Sequence, residues 1–121
     1  MQLSGKTALV TGAASGFGAG IARAFAAAGA TVMVADINDE GAQDVADTLG
    51  GHSVQVDVSA GVSVQAMAAR TLDAFGHLDI LVNNAGITHL PQAMEDVSEE
   101  DFDRVLAVNA KSVYLTARSF V

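Results

Sequence analysis

Short apolar runs alternate with segments of helical periodicity along this chain. Apolar runs at residues 7–10, 31–35, 53–56 and 80–82 predict buried strands. Between them, apolar residues recur every three or four positions, which predicts helices over about 19–28, 39–49 and 60–75, and a long helix from 98 to the end. The chain is therefore expected to repeat a strand-helix unit four times, β-α-β-α-β-α-β-α.

The first three predicted helices along the chain have apolar faces and recognisable ends. Asn38 and Ser59 are expected to cap the second and third helices, while Gly29, Gly50 and Gly76 are expected to end helices. The expected apolar faces are Ile21, Ala22, Phe25 and Ala26 in the first helix, Ala42, Val45, Ala46 and Leu49 in the second, and Val64, Ala68, Leu72 and Phe75 or their neighbours in the third.

Strands that are apolar throughout, joined by helices, predict a parallel sheet covered on both faces, a doubly wound α/β fold. Right-handed crossovers place the third strand beside the second, the second beside the first, and the fourth on the other side of the first. Ligands bind such sheets where the strand order reverses, at the carboxyl ends of the strands. The loops after the first and fourth strands should therefore face one crevice.

A glycine-rich loop links the first strand to the first helix. Gly12 allows a tight turn, Gly16 allows a ligand to approach the backbone, and Gly18 allows the helix to pack closely on the strand. The N–H groups of the first helical turn can bind phosphate. The spacing is G-x-x-x-G-x-G and differs from the G-x-G-x-x-G fingerprint. A plain glycine-rich turn is the alternative interpretation.

Two aspartates follow the second and third strands. Asp36 stands where this fold can bind both hydroxyls of an adenosine ribose, and its carboxylate would repel a 2′-phosphate. No Lys or Arg occurs at Ile37 or at 13–15, so NAD is preferred to NADP. Asp57 could accept from an adenine amino group, with Val58 offering backbone and apolar contact. An ordinary turn aspartate is the alternative interpretation for both residues, and it is the weaker one for Asp36.

Composition narrows the classes of function. Half of the 121 residues are hydrophobic, enough for the core of one domain, and the absence of cysteine excludes disulfides and thiolate chemistry. A formal charge of −8 with scattered basic residues disfavours nucleic acid and anionic membranes as partners. Without a signal-like start or a membrane-length apolar segment, a cytoplasmic protein is expected.

The motifs together resemble the short-chain dehydrogenase/reductase family. The matching residues are Thr11, Gly12, Ala13, Ala14, Ser15, Gly16, Phe17 and Gly18, then Asp57 and Val58, then Asn83, Asn84, Ala85 and Gly86, and finally Asn109. The resemblance runs from about Leu3 to the last residue and covers roughly the N-terminal half of a typical member. It implies a nicotinamide dinucleotide held by Gly12, Ser15, Gly16, Phe17, Gly18, Asp36, Ile37, Asp57, Val58, Asn84, Ala85 and Gly86, whereas Asn83 would stabilise the sheet.

Asn109 matches one member of the catalytic tetrad of that family, in which it helps to position a water. Read from its helix alone, Asn109 lies on the apolar face, where its amide could equally satisfy a backbone group or a trapped water. The serine and the Tyr-x-x-x-Lys pair that the resemblance requires are missing, and Tyr114 with Arg118 is a coincidental spacing too early in the chain. The three histidines have no metal-ligand spacing.

The chain is therefore expected to be a dinucleotide-binding half-domain over residues 1–121, inactive by itself. The alternatives are a stand-alone nucleotide-binding or self-associating module without redox chemistry, and a scaffold with no dinucleotide affinity. The fourth strand would have an open edge, so a homo-oligomer formed through that edge or through the last helix is expected.

Overall fold

Four parallel strands form one sheet in the computed structural model, which describes residues 2–84. The strands are β1 (Thr7–Thr11), β2 (Thr31–Asp36), β3 (His52–Gln55) and β4 (Ile80–Val82). The helices are α1 (Gly16–Ala27), α2 (Asp39–Leu49) and α3 (Gly61–Phe75). The helix predicted from residue 98 onwards lies outside the described residues.

The strand order is β3-β2-β1-β4, with every neighbouring pair parallel. This is the predicted order, and the predicted fold class, a doubly wound α/β sheet of the Rossmann-like type, is confirmed. The order reverses between β1 and β4, where Val10 is in register with Val82. The carboxyl ends of these two strands therefore form the switch point of the sheet.

The core has two layers, one on each face of the sheet. Val10, Val32 and Val34 point to the layer that contains α1 and α2, whereas Leu9 and Met33 point to the layer that contains α3. Successive side chains of a strand point to opposite faces, so strands covered on both sides must be apolar throughout. At the sheet edge, β3 is only partly buried, with His52 and Gln55 exposed. The exposure of β3, and the half-buried state of β4, differ from the burial on both faces that was predicted for the strands.

The first two helices follow the predicted pattern with small differences at their ends. α1 begins at Gly16, three residues earlier than predicted, so that Phe17 and Gly18 of the loop form part of its first turn. In α2 the side chain of Asn38 accepts a hydrogen bond from the Gly41 N–H at 3.0 Å, which confirms the predicted N-cap. Gly50 ends α2 in the left-handed region, at φ 64°.

The third helix differs from the prediction at two residues. Its N-cap is Ala60, because the Ser59 hydroxyl donates to Asp57 Oδ1 at 2.6 Å and so stabilises the preceding turn. Leu72 is 40% exposed, while Met67 and Thr71 are buried beside Val64. The buried face therefore keeps Val64, Ala68 and Phe75 as predicted, while Thr71, the neighbour of Leu72, is buried in place of Leu72.

The amino ends of β1 and β4 are joined by side-chain hydrogen bonds. Asp79 Oδ2 accepts from the Thr7 N–H at 2.9 Å, and the Thr7 hydroxyl donates to the His77 carbonyl at 2.9 Å. The hydrogen bond from the Thr7 backbone lowers the pKa of Asp79, and nearby His77 and Lys6 act in the same direction against some desolvation. Because this end of the sheet is opposite the switch point, these contacts stabilise the β1–β4 pair away from the crevice.

Among residues 2–84, no helix combines the length and hydropathy needed to cross a bilayer.

Candidate functional site

The glycine-rich loop lies at the carboxyl end of β1 and is fastened to β2. Gly12 turns the chain at φ 65°, a left-handed conformation that favours glycine. The Ala13 N–H donates to the Ala35 carbonyl at 3.1 Å, and the Ala14 N–H donates to Asp36 Oδ2 at 3.0 Å. The loop is therefore held against the end of β2 before it enters α1.

Gly18 brings the first turn of α1 very close to the loop. A Cβ atom built on Gly18 would overlap the Gly12 carbonyl oxygen and would lie 2.6 Å from Asn84 Nδ2. Both contacts are too close for a side chain at position 18, and the Gly12 oxygen cannot rotate away because it belongs to the backbone. The position of the helix against the loop thus depends on a glycine at this site, as the pattern predicted.

The other side of the loop is open. Gly16 has φ 61°, and a Cβ atom built there would meet no atom within 4 Å. The Ser15 side chain makes no capping hydrogen bond, and the first turn of α1 contains no acidic residue. Phe17 is 88% exposed and, with Gly16, begins an open apolar surface that continues along α1 past Gly20, Ile21 and Ala24. The N–H groups that begin α1 are therefore not occupied by a capping side chain.

Asp36 connects the loop to the turn that follows β2. Its Oδ2 accepts from the Ala14 N–H, and its Oδ1 accepts from the Asn38 N–H, each at 3.0 Å. A carboxylate has about four lone-pair sites, so each oxygen can accept one more hydrogen bond. The carboxylate is fixed in place and can still accept from two hydroxyl groups. Ile37, the next residue, is 65% exposed.

Asp57 and Val58 lie in the turn between β3 and α3. Asp57 Oδ1 accepts from both the N–H and the hydroxyl of Ser59, and the Asp57 N–H donates to Ser63 Oγ at 2.8 Å. Val58 is only 6% exposed because its side chain packs into the α3 layer of the core. Val58 therefore has little accessible surface for the apolar contact that the sequence predicted.

The loop after β4 meets the glycine-rich loop through Asn84. Its Nδ2 donates to the Gly12 carbonyl at 3.3 Å, and its backbone N–H donates to Thr11 Oγ1 at 3.1 Å. The Thr11 hydroxyl in turn donates to the Val82 carbonyl at 3.3 Å. The two loops therefore lie together at the switch point, as predicted from the topology. Ala85, Gly86 and Asn109 lie outside the described residues.

Three side chains near the site make hydrogen bonds that were not predicted from the sequence. The Thr11 hydroxyl joins β1 to β4, Ser63 holds the turn after β3, and the Gln55 side-chain amide donates to the Ile37 carbonyl at 3.2 Å. Polar residues at strand ends are common in turns, so nothing in the sequence distinguished these from solvent-facing ones. In the part of the chain that the structure describes, no group of three or more His, Asp or Glu side chains could hold a metal ion.

A family model and two curated proteins are similar to this chain over nearly its whole length. The family model described as short chain dehydrogenase matches residues 6–121. D-threitol dehydrogenase of Mycolicibacterium smegmatis is 45% identical over 98% of this chain and 47% of its own length. Oxidoreductase UcpA of Salmonella typhimurium is 48% identical over 93% of this chain and 44% of its own length.

The fold is similar to that of a solved reductase. The crystal structure of 3-ketoacyl-(acyl-carrier-protein) reductase from Brucella melitensis, complexed with NADH, superimposes with a TM-score of 0.96 at 46% identity. The match covers 98% of this chain and 50% of that one. The chain thus spans about half the length of the proteins that it matches.

Proposed function

Because the chain belongs to the short-chain dehydrogenase family, we propose that it is the NAD(H)-binding portion of an oxidoreductase that transfers hydride between NAD and an alcohol or ketone. One observation carries the proposal. The glycine-rich loop is hydrogen-bonded on one side to Asp36 of β2 and on the other to Asn84 after β4, at the point where the strand order reverses. The reductase complexed with NADH, which has the same fold, supports a nicotinamide dinucleotide as the ligand.

The loop fits a pyrophosphate in shape and in charge. Gly16 offers open backbone, and the beginning of α1 carries neither a capping side chain nor an acidic residue. The N-terminus of a helix has a partial positive charge of about half an elementary charge and unpaired N–H groups, both of which favour an anion. Gly12, Ser15, Gly16, Phe17 and Gly18 would hold the two phosphates, and Asn84 would fix the loop behind them.

Asp36 is proposed to select NAD over NADP. Its carboxylate is fixed by two backbone N–H groups and can accept from both ribose hydroxyls. A 2′-phosphate would instead bring a second negative charge to a fixed carboxylate. Among residues 2–84, no Lys or Arg side chain forms an ion pair with Asp36 that could neutralise this repulsion. Ile37, Asp57 and Val58 would surround the adenine, with Val58 contributing least because it is buried.

Hydride transfer also needs a group that exchanges a proton with the substrate, which the cofactor-binding residues do not supply. When bound, the nicotinamide ring donates or accepts the hydride, and a tyrosine activated by a lysine is expected to exchange the proton with the substrate oxygen. The only tyrosine is Tyr114, which is followed four residues later by Arg118, and arginine does not titrate. Asn109, Ala85 and Gly86 keep their predicted roles as proposals. We therefore expect cofactor binding without turnover from these 121 residues.

Calorimetric titration with NAD and with NADP tests the proposal directly. Asp36→Ala removes two acceptors for charge-assisted hydrogen bonds to ribose, each worth about 1.5–3 kcal/mol, so NAD affinity should fall at least tenfold. Asp39→Ala is the matched control, because it removes an equal charge three residues later, at the start of α2. The preference for NAD over NADP should shrink only in Asp36→Ala. If the unchanged chain binds neither dinucleotide, the proposed function is wrong.

We also propose that the chain self-associates through the β4 edge or through the helix that the sequence predicts from residue 98 onwards. Within residues 2–84, β4 pairs only with β1, and its three residues Ile80–Val82 are half-buried. An unpaired strand edge is a template for pairing with another chain. Light scattering after size-exclusion chromatography should show a concentration-dependent oligomer, and a monomer at every concentration would contradict the proposal.

A further inference from the structure

The Gln55 side chain reaches from the end of β3 to the turn that follows β2. Gln55 is in register with Asp36, and the next N–H, that of Val56, donates to the Asp36 carbonyl at 3.0 Å. Beyond this last rung of the sheet, Gln55 Nε2 donates to the Ile37 carbonyl at 3.2 Å. A carbonyl can only accept, so the contact requires the NH₂ end of the amide. The side chain extends the β2–β3 ladder by one hydrogen bond.

That hydrogen bond acts on the same peptide group that holds Asp36. The Ile37 carbonyl and the Asn38 N–H belong to one planar peptide unit. Its oxygen accepts from Gln55, and its N–H donates to Asp36 Oδ1 at 3.0 Å. Rotation of the plane would break both contacts together. Gln55 therefore holds the plane in the orientation that directs the Asn38 N–H at the carboxylate.

From this geometry we infer that Gln55 is a positioning residue for the adenosine half of the dinucleotide, acting through the Ile37–Asn38 peptide on the Asp36 carboxylate. The inference rests on the proposed function. Gln55 itself is exposed at the edge of the sheet, so the core does not depend on its side chain. Its contribution to binding is the pre-organisation of Asp36, since a carboxylate already held in place loses less freedom when a ribose binds.

Gln55→Met tests the inference, because methionine has a similar length and no donor. In the free chain, the Asn38 amide should exchange its hydrogen about threefold to tenfold faster, as expected when one hydrogen bond that fixes the peptide is lost. Gln43→Met is the matched control, since Gln43 is also an exposed glutamine and donates to Asp39 Oδ2 at 3.0 Å within α2. The control should leave exchange at Asn38 unchanged.

Ligand binding then distinguishes a positioning role from a merely structural one. Gln55→Met should lower the affinity for NAD and for ADP-ribose about threefold to tenfold. The affinity for nicotinamide mononucleotide should not change, because this half of the dinucleotide lacks the adenosine ribose. In an Asp36→Ala background, the effect of Gln55→Met on NAD should disappear.

The possible failures are distinct. Unchanged exchange at Asn38, or equal weakening of NAD and nicotinamide mononucleotide, would overturn the role of Gln55 while NAD binding by the unchanged chain would still support the proposed function. Absence of NAD binding by the unchanged chain would overturn both.

Discussion

The contact between α1 and the glycine-rich loop permits a sharp test with two glycines of one helix. Gly18 and Gly20 both lie in α1 without a positive φ. A Cβ atom at Gly18 would overlap the Gly12 carbonyl oxygen and approach Asn84 Nδ2, whereas a Cβ atom at Gly20 would meet no atom within 4 Å. Gly18→Ala and Gly20→Ala therefore make the same chemical change in opposite surroundings.

The magnitude follows from the difference between the two variants. Each replacement of glycine by alanine within a helix contributes up to about 1 kcal/mol of stability, because alanine loses less conformational freedom on folding. This gain is nearly the same at both positions and cancels in the comparison. What remains is the overpacking at Gly18, which costs about 1–3 kcal/mol. We expect a value near the upper end, because the Gly12 oxygen belongs to the backbone and cannot rotate away.

Urea unfolding followed by circular dichroism measures the comparison. Gly20→Ala should have a free energy of unfolding equal to or above that of the unchanged chain, and Gly18→Ala should lie about 1–3 kcal/mol below Gly20→Ala with a similar dependence on urea. A gap smaller than about 0.5 kcal/mol would refute the close approach of α1 to the loop. It would also remove the reason for a glycine at position 18.

Two further predictions concern caps and charges. Asn38→Ala removes the side-chain acceptor of the Gly41 N–H and should lower the free energy of unfolding by about 1 kcal/mol, measured by urea titration; an unchanged value would contradict the cap. The pKa of Asp79 is lowered in the folded chain, chiefly by the Thr7 N–H. The ionised carboxylate therefore stabilises the fold fully above the pKa that Asp79 has in the unfolded chain, and this stabilisation is lost as pH falls through its pKa in the folded chain. Asp79→Asn should therefore reduce the loss of stability below about pH 4, and an identical acid profile would contradict this.

The sequence predicted the fold well because the fold depends on periodicity. A strand covered on both faces must be apolar throughout, as in Val10 with Leu9, and a helix on a sheet must have one apolar face, as in Ala42 with Val45. The strand order then followed from the handedness of the crossovers. Among the details that were predicted wrongly, Ser59 does not cap α3 because its hydroxyl donates to Asp57 two residues earlier in the chain. Leu72 is exposed because α3 buries Met67 and Thr71 instead.

The candidate site could be predicted only in part. Glycines with a required geometry can be recognised along the chain, and Gly12 and Gly18 lie where the pattern placed them. Hydrogen bonds between distant residues cannot be recognised in this way. The contact of Asn84 with Gly12 joins residues 72 positions apart, and that of Gln55 with Ile37 joins residues 18 apart.

The sequence by itself determined the order of strands and helices, the parallel sheet and the end of the sheet at which the site lies. These features depend on hydrophobic spacing and on chain chirality, which act along the chain and need no knowledge of distant contacts. Only the tertiary structure decided which polar side chains hold the site together, because an exposed turn residue and a buried hydrogen-bond partner look alike in sequence. Thr11, Asp36 and Gln55 have their roles because the fold brings β4, the glycine-rich loop and the turn after β2 to them.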